Sequence, residues 1–142
     1  MRRVIDCSTA FKWAVAETDS GKAIQLRDDL RAGVGGLMAP DIFVAEMASS
    51  LLTAQRKGRI SDFAAPLYGI LSEGIEMHDA TALMPRVARI VASVTSGMRF
   101  SIDHCLYVAL AEHEGCELIT SDQRLINVFN QAYPFIVSLS SL

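Results

Sequence analysis

The chain has 142 residues, of which 51% are hydrophobic, and this is enough for one domain of residues 1–142 around one sizeable core. The formal net charge of −3 argues against a protein that coats DNA mainly through phosphate contacts. No apolar run approaches the roughly 20 residues of a membrane helix, and the three cysteines form no disulfide pattern, so we expect a cytoplasmic protein with no membrane segment.

Short apolar runs separated by turn residues predict the β-strands. Four are clear and a fifth, Ile75–His78, is weaker. The four clear strands are Arg3–Asp6, Leu37–Ala39, Glu117–Thr120 and Phe135–Ser138. Because strands alternate with helices, the pattern predicts an α/β fold with a mainly parallel sheet of four to five strands between two layers of helices.

Capping residues predict where the intervening helices begin, and Gly or Pro predicts where they end. Apart from Ile75–His78, the stretch from Pro40 to Gly97 is expected to be helical. The predicted starts are Ser8 or Thr9, Ser20, Pro40–Asp41, Ser61, Thr81, Ser101 and Ser121–Asp122. The predicted ends lie before Gly33, near Gly58, at Gly115 and before Pro134.

Two carboxylates stand at the ends of predicted strands. Asp6 ends the first strand, and Asp122 follows the strand that ends at Thr120. Ligands of open parallel sheets bind beyond the carboxyl ends of the strands, so both acids point to one site. The alternative for either residue alone is that an acid is favourable at the start of a helix without any ligand.

Glu46 lies at the margin of a buried helical stripe, with Ile42 and Phe43 one turn before it and Ser49 and Ser50 one turn after. A half-buried carboxylate without Lys or Arg on its face needs another partner, and a cation would serve. The alternative is a surface glutamate whose stem covers apolar neighbours.

Asp103 begins a second such stripe, which continues through Leu106, Tyr107 and Leu110 and places the carboxylate on the core-facing side of its helix. The alternative is an acid that simply favours the first helical turn.

Four converging carboxylates would repel one another and raise one another's pKa values unless a cation compensates them. Carboxylate oxygens without a supporting histidine cluster match Mg²⁺ or Mn²⁺ better than zinc. Ser8 and Thr120 lie close to two of the acids and are candidates to orient a carboxylate or a water, although each is equally explained as an ordinary cap or strand hydroxyl.

Four segments of the chain resemble, in order, the motifs of the PIN domain family. The first motif is Val4–Trp13, in which an apolar strand ends in Asp and is followed by a small residue, Ser and a helix with Lys-Trp. The second motif is Pro40–Ala48, in which a helix that begins with Pro presents Glu46. Ile102–Ala111 and Leu118–Asp122 resemble the third and fourth motifs. Ile102 and His104 replace a usual Tyr and a small residue, and Cys7 replaces a common Ala, but every carboxylate remains.

The resemblance implies a PIN-like three-layer α/β/α fold and hydrolysis of RNA phosphodiester bonds. It implies that Asp6, Glu46 and Asp103 hold Mg²⁺ or Mn²⁺, that Asp122 holds or orients a second ion, and that all four are catalytic. The products would carry 5′-phosphate and 3′-hydroxyl ends. The compact length resembles the VapC-type toxins of bacterial toxin–antitoxin pairs, which implies a homodimer and a cognate antitoxin that covers the acidic pocket.

Other residues have weaker predicted roles. Arg56–Arg59, Arg86, Arg89 and Arg99 are candidate phosphate contacts or simply a solvated face. Apolar helix residues could form a dimer face or belong to the core; they include Phe63, Leu67, Leu71 and Met84. His104 is not assigned a catalytic role, because a single helical histidine is more often exposed or already hydrogen-bonded.

Three alternatives from other classes compete with a ribonuclease. A phosphoacceptor receiver domain normally has paired acids after its first strand, whereas Asp6 stands alone. A haloacid-dehalogenase phosphatase needs a second Asp two residues after the first, and this chain has Ser8 there. The stronger rival is a non-catalytic PIN scaffold that binds RNA or a protein partner, and a cleavage assay separates the two.

Overall fold

Five strands form one sheet in the computed structural model, which describes residues 1–94 and 97–142. The strands are β1 (Arg2–Ile5), β2 (Gly36–Pro40), β3 (Glu76–His78), β4 (Leu118–Thr120) and β5 (Ile136–Ser138). Their order across the sheet is β3-β2-β1-β4-β5, and all four pairings are parallel. The weak fifth strand of the sequence prediction is therefore present, as β3 at one edge.

Helices connect the strands within the described ranges. They are α1 (Cys7–Ala10), α2 (Ser20–Arg31), α3 (Phe43–Arg56), α4 (Ala64–Leu71), α5 (Ala80–Ser93), α6 (Ile102–Glu114) and α7 (Gln123–Phe129). Short 3-10 helices at Phe11–Trp13 and Leu139–Ser141 were not anticipated from the sequence. None of the described helices has the length and apolar character needed to cross a membrane.

Helices cover both faces of the sheet. Val4 and Ile5 of β1 point to opposite faces and both are fully buried, and the same holds for Leu118 and Ile119 of β4. Helix α6 buries every residue of Cys105–Ala111 because it packs against β1, β2, β4 and α5. The predicted α/β fold with a parallel central sheet is confirmed.

Aspartates, rather than the predicted hydroxyl residues, cap several helices. Helix α1 is capped by Asp6 and not by Ser8 or Thr9, and α5 is capped by Asp79, whose carboxylate accepts from the Thr81 amide at 2.9 Å. An extended aspartate just before the first turn satisfies the free amides, which places the neighbouring hydroxyl residue inside the helix.

Two other predicted starts are also displaced. Helix α4 begins at Ala64 and not at Ser61, because the Asp62 carboxylate accepts from the amides of Ala64 and Ala65 at 3.3 and 3.1 Å. Helix α3 begins at Phe43 because Pro40 is still part of β2. By contrast, α6 begins after Ser101 and ends at left-handed Gly115, as predicted.

The described part of the stretch from Pro40 to Gly97 is mainly helical, and the helix end predicted near Gly58 is present. This stretch holds α3, α4, β3 and α5, with non-helical connections at residues 57–63 and 72–75. Gly58 and Gly74 lie in these connections with φ of +75° and +89°, a conformation that stops a helix and favours glycine. Thr95 and Ser96 lie outside the described residues.

The parallel sheet brings distant residues to one edge. Ile5 is in register with Ile119, so the first residues beyond β1 lie beside the last residue of β4. Asp6 follows β1 and Asp122 stands two residues after Thr120, the end of β4. Both carboxylates are therefore placed at the carboxyl edge of neighbouring strands, where a ligand of this architecture binds.

Candidate active site

Asp6 is the most enclosed of the four predicted carboxylates, with only 4% of its surface exposed. One carboxylate oxygen accepts from the Ser8 hydroxyl at 2.7 Å and from the Thr9 amide at 3.2 Å, and the other accepts from the Thr120 hydroxyl. Burial raises the pKa of Asp6 above its ordinary value, and the nearby charge of Asp122 raises it further, whereas these hydrogen bonds act in the opposite direction. A buried carboxylate with three donors is held in one orientation.

Ser8 and Thr120 also join the two strand ends to each other. The Ser8 hydroxyl accepts from the Ser121 amide at 3.1 Å, and the Thr120 hydroxyl accepts from the Asp122 amide at 3.0 Å. Each hydroxyl donates to Asp6 at the same time. The two side chains thereby fix the orientation of Asp6 relative to the loop that carries Asp122.

Glu46 lies half-buried in the first turn of α3. Its pKa is raised to about 7, chiefly by burial, with further contributions from the nearby Asp103 and Asp6. The Tyr107 hydroxyl donates to a Glu46 oxygen at 2.5 Å and partly opposes this rise, and the Cys7 thiol lies 3.9 Å from the same oxygen. Neither contact was anticipated from the sequence.

Asp103 lies half-buried in the first turn of α6, close enough to Glu46 for its charge to raise the pKa of that residue. The structure therefore brings Asp103 beside Glu46, Glu46 near Asp6, and Asp6 near Asp122. The four predicted acids therefore interact electrostatically as successive neighbours, and their role as one site stays a prediction.

Asp122 caps α7 and accepts from the amides of Arg124 and Leu125 at 2.9 and 3.3 Å. Its other oxygen lies 3.0 Å from Nε2 of His104. The hydrogen bond from His104 lowers the pKa of Asp122 below its ordinary value, although partial burial opposes this. His104 belongs to the site, and its buried Nδ1 atom has no hydrogen-bond partner among the described residues.

One cavity of about 570 Å³ unites most of these groups. Asp6, Glu46 and Asp122 line it, together with Ser8, His104 and Tyr107, whereas Asp103, which is near Glu46, is not part of the lining. Three of the four predicted acids therefore face one open cavity, the kind of space in which ligands bind.

Basic residues reach the same cavity. Lys57 and Arg59, two of the predicted phosphate contacts, line it, and so does Lys12, which sequence reasoning noted only as part of a motif. Arg86 instead pairs with Glu112 at 2.9 Å, and Arg86, Arg89 and Arg99 lie outside the lining. Over residues 1–94 and 97–142, no Lys or Arg forms a salt bridge with any of the four carboxylates.

The donor atoms suit a hard divalent cation. The described residues contain no group of three or more His, Cys, Asp and Glu side chains already close enough to hold a metal ion. Hydroxyl, phenol and imidazole groups engage the carboxylates. The available ligands are carboxylate oxygens, which Mg²⁺ and Mn²⁺ prefer. Burial chiefly raises the pKa values of Asp6 and Glu46, and no Lys or Arg in the described part of the chain pairs with them, so a divalent cation would stabilise their charged forms.

Comparison with known proteins identifies the fold. The chain is similar to PAE2754 from Pyrobaculum aerophilum, with 17% identity, coverage of 99% of this chain and 94% of that one, and a TM-score of 0.62. It is similar to VapBC2 from Rickettsia felis bound to a DNA fragment from their promoter, with 14% identity, 97% coverage of both chains and a TM-score of 0.62. It is also similar to Mycobacterium tuberculosis VapC20, described as a sarcin-ricin loop cleaving toxin, with 16% identity, 88% and 93% coverage and a TM-score of 0.61.

At these identities the structural likeness shows a shared fold. No curated protein sequence matches the chain significantly. The family model of the PIN domain, however, matches residues 3–130, which include all four carboxylates. The chain therefore belongs to the PIN domain family.

Proposed function

We propose that this protein is a metal-dependent endoribonuclease and acts as the toxin of a toxin–antitoxin pair. The observation that carries the proposal is one cavity lined by Asp6, Glu46 and Asp122, with Asp103 close to Glu46, in a chain of the PIN family. The similar VapC20 is described as cleaving the sarcin-ricin loop, which supports RNA as the substrate class here.

Each acid has a distinct part in the proposed reaction. Asp6, Glu46 and Asp103 would hold Mg²⁺ or Mn²⁺, and Asp122 would hold or orient a second ion. A bound divalent ion supplies an activated water molecule and neutralises charge at the scissile phosphate. Ser8 and Thr120 keep the Asp6 carboxylate in one rotamer, Tyr107 does the same for Glu46, and His104 for Asp122.

Protein partners are part of the proposal. The chain is similar to one from a toxin-antitoxin complex of Klebsiella pneumoniae, with 11% identity, 96% and 97% coverage and a TM-score of 0.60. This similarity supports a cognate antitoxin for the present chain, which would cover the acidic cavity. A homodimer and a cytoplasmic location are also proposed. Of the apolar residues considered for a dimer face, Leu67 belongs to the core, whereas 41% of the Met84 surface is exposed and available for contact.

The direct test is cleavage of bacterial total RNA and of an RNA fragment that contains the sarcin-ricin loop. We expect cleavage in Mg²⁺ or Mn²⁺, none in EDTA, and none in Asp6→Asn or Asp103→Asn with circular dichroism unchanged. Asp28→Asn is the matched control, because Asp28 is an exposed acid of α2 paired with Arg27. Activity that persists in EDTA, or in the Asp6 variant, contradicts the proposal.

A non-catalytic scaffold that binds RNA or a protein partner remains the second candidate. One observation favours it: hydroxyl, phenol and imidazole donors already engage Asp6, Glu46 and Asp122, and in the described part of the chain the acids are not gathered into a ready metal site. The same assay separates the two, because a scaffold binds RNA in Mg²⁺ without shortening it.

A further inference from the structure

A second charged cluster, formed by Lys12, Glu17 and Arg59, lines the same cavity as the acids. The Lys12 ammonium lies 3.4 Å from one oxygen of Glu17, and the Arg59 guanidinium lies 3.1 Å from the other. Two cations from separate parts of the chain thus share one carboxylate. This arrangement has no part in the reaction proposed above.

Local structure holds the lysine of this cluster in place. Lys12 belongs to the 3-10 helix Phe11–Trp13, and only 9% of its side chain is exposed. The neighbouring Trp13 donates its indole N–H to the Ala23 carbonyl at 2.8 Å, which fixes this turn against α2. A lysine buried to this extent requires an anion beside it at all times.

Arg59 is positioned by the way α3 ends. Gly58 adopts φ +75°, its amide donates to Gln55 at 3.0 Å, and the Arg59 amide donates to Ala54 at 2.9 Å, which is a Schellman motif. The Arg59 guanidinium then lies over the Phe11 ring, 5.7 Å from its centroid. The helix end and the ring direct the guanidinium towards the cavity.

The chemistry of the cluster matches an RNA phosphate. Glu17 presents one carboxylate oxygen to each cation, and a backbone phosphate presents two non-bridging oxygens in the same manner. Glu17 is 31% exposed on a loop, so it can withdraw without unfolding the core. Because one anion replaces another, the buried Lys12 never loses its partner during the exchange.

We propose that Lys12 and Arg59 form a binding subsite for a backbone phosphate of the RNA strand, and that Glu17 occupies this subsite until RNA displaces it. The proposal rests on the ribonuclease function, since a strand whose scissile phosphate reaches the acids shares one cavity with these cations. RNA must therefore displace Glu17 before it binds to the subsite. The two cations then hold the strand at a point separate from the reacting bond.

The test measures binding apart from catalysis, as fluorescence anisotropy of a labelled single-stranded RNA in EDTA at several salt concentrations. Arg59→Gln is expected to weaken binding several-fold and to reduce the slope of log affinity against log salt by about 0.7, the value for one lost phosphate contact on a single strand. Glu17→Gln is expected to tighten binding several-fold, because the competing anion is gone. Circular dichroism spectra that match the wild type verify that both variants fold.

Arg2→Gln is the matched control, because it removes the same charge at the start of β1, the end of the strand remote from Asp6. Equal effects of Arg2→Gln and Arg59→Gln overturn the subsite, since they indicate general charge attraction. An unchanged affinity in Glu17→Gln overturns it too. A polyglutamate peptide serves as the second ligand. If Arg59→Gln keeps its affinity for RNA and loses affinity for this peptide, the subsite is overturned, because the cations then bind an acidic protein partner.

The two proposals fail separately. If the wild-type chain cleaves RNA in Mg²⁺ while Arg59→Gln keeps its affinity and salt slope, the subsite is wrong and the ribonuclease assignment stands. If Arg59→Gln shows the expected loss while the wild-type chain cuts no RNA in Mg²⁺, the subsite holds and the ribonuclease assignment falls.

Discussion

Glu46 is the residue at which stability and the proposed function conflict. Burial and the neighbouring Asp103 and Asp6 raise its pKa to about 7 in the absence of a cation, so its proton is retained far above the usual range of a glutamate. A metal ligand, however, must be deprotonated. The carboxylate that the reaction requires is therefore destabilising to the fold until a cation arrives.

This conflict predicts a pH-dependent gain in stability for Glu46→Gln, measured by denaturant unfolding in EDTA. Because the folded pKa of Glu46 lies above its unfolded value, its contribution to stability is complete below pH 4.5 and is lost as the pH rises through 7. After discounting for solvent screening, we expect the variant to be more stable than the wild type by about 1 to 2 kcal/mol at pH 8. The difference should vanish near pH 4; a difference that is constant with pH contradicts the assignment.

Tyr107 acts on the reaction through Glu46. Its hydroxyl donates to Glu46 at 2.5 Å and lowers the pKa of that carboxyl, so Tyr107→Phe should raise it. We expect the apparent affinity of the variant for Mg²⁺ to fall more steeply below pH 7 than that of the wild type, because a proton competes with the ion for Glu46. A uniform loss at every pH would indicate a purely structural role for the hydroxyl.

For individual residues, the sequence indicated which side chains carry the charge of the candidate site. It did not indicate which other side chains they contact. Asp6, Glu46, Asp103 and Asp122 stand out because strand ends and helix faces have regular spacings. The bonds from Tyr107 to Glu46 and from His104 to Asp122 join residues 61 and 18 positions apart. Such contacts depend on how the elements pack, which spacing within one element does not determine.

Among the secondary-structure elements, the end of α3 is the most constrained connection in the candidate site. Gly58 has φ +75°, a conformation that penalises a Cβ atom, while among the described residues no atom beyond the glycine and its two chain neighbours lies within 4 Å of where that Cβ would be. Strain in the backbone, rather than crowding, is therefore what requires glycine at this point.

Gly58→Ala should lower the free energy of unfolding by roughly 1 to 2 kcal/mol, the penalty for a left-handed residue with a Cβ. Gly69→Ala is the matched control, since Gly69 lies within α4, has open space around it and has an ordinary φ. That variant should gain about 0.5 to 1 kcal/mol from the helix propensity of alanine. Chemical denaturation measures both, and equal changes would refute this account of the α3 end.

The type of each element was predictable, because parallel strands and amphipathic helices have clear patterns of apolar residues. The residue at which each helix starts was harder to predict. Asp6, Asp62 and Asp79 supply the carboxylates that satisfy the first amides of their helices, although Ser8, Ser61 and Thr81 were equally suitable by residue type. The choice between neighbouring caps depends on backbone angles, which the sequence alone does not specify.

For the whole molecule, the parallel topology gathers negative charge that is dispersed in the sequence. Residues 6, 46, 103 and 122 come together because β1 and β4 are neighbours and because α3 and α6 begin beside them. Of the cations that line the cavity, Lys12 and Arg59 pair with Glu17 and not with these acids, and Lys57 forms no salt bridge with them among the described residues. The folded protein therefore holds an excess of negative charge that the unfolded chain disperses.

A divalent cation should consequently stabilise the folded state as a whole. At a concentration of Mg²⁺ or Mn²⁺ about one hundred times the dissociation constant, binding adds about 2.7 kcal/mol. For a chain of this length that is a rise in melting temperature of roughly 5 to 10 °C. Differential scanning fluorimetry measures it, with NaCl of equal ionic strength as the reference. The rise should persist in Asp28→Asn and disappear in Asp6→Asn, where the cap of α1 is kept because asparagine caps as well as aspartate. An equal rise in both variants would locate the cation elsewhere on the surface, because only the loss of a ligand at the strand end distinguishes binding in the cavity from general screening of an acidic protein.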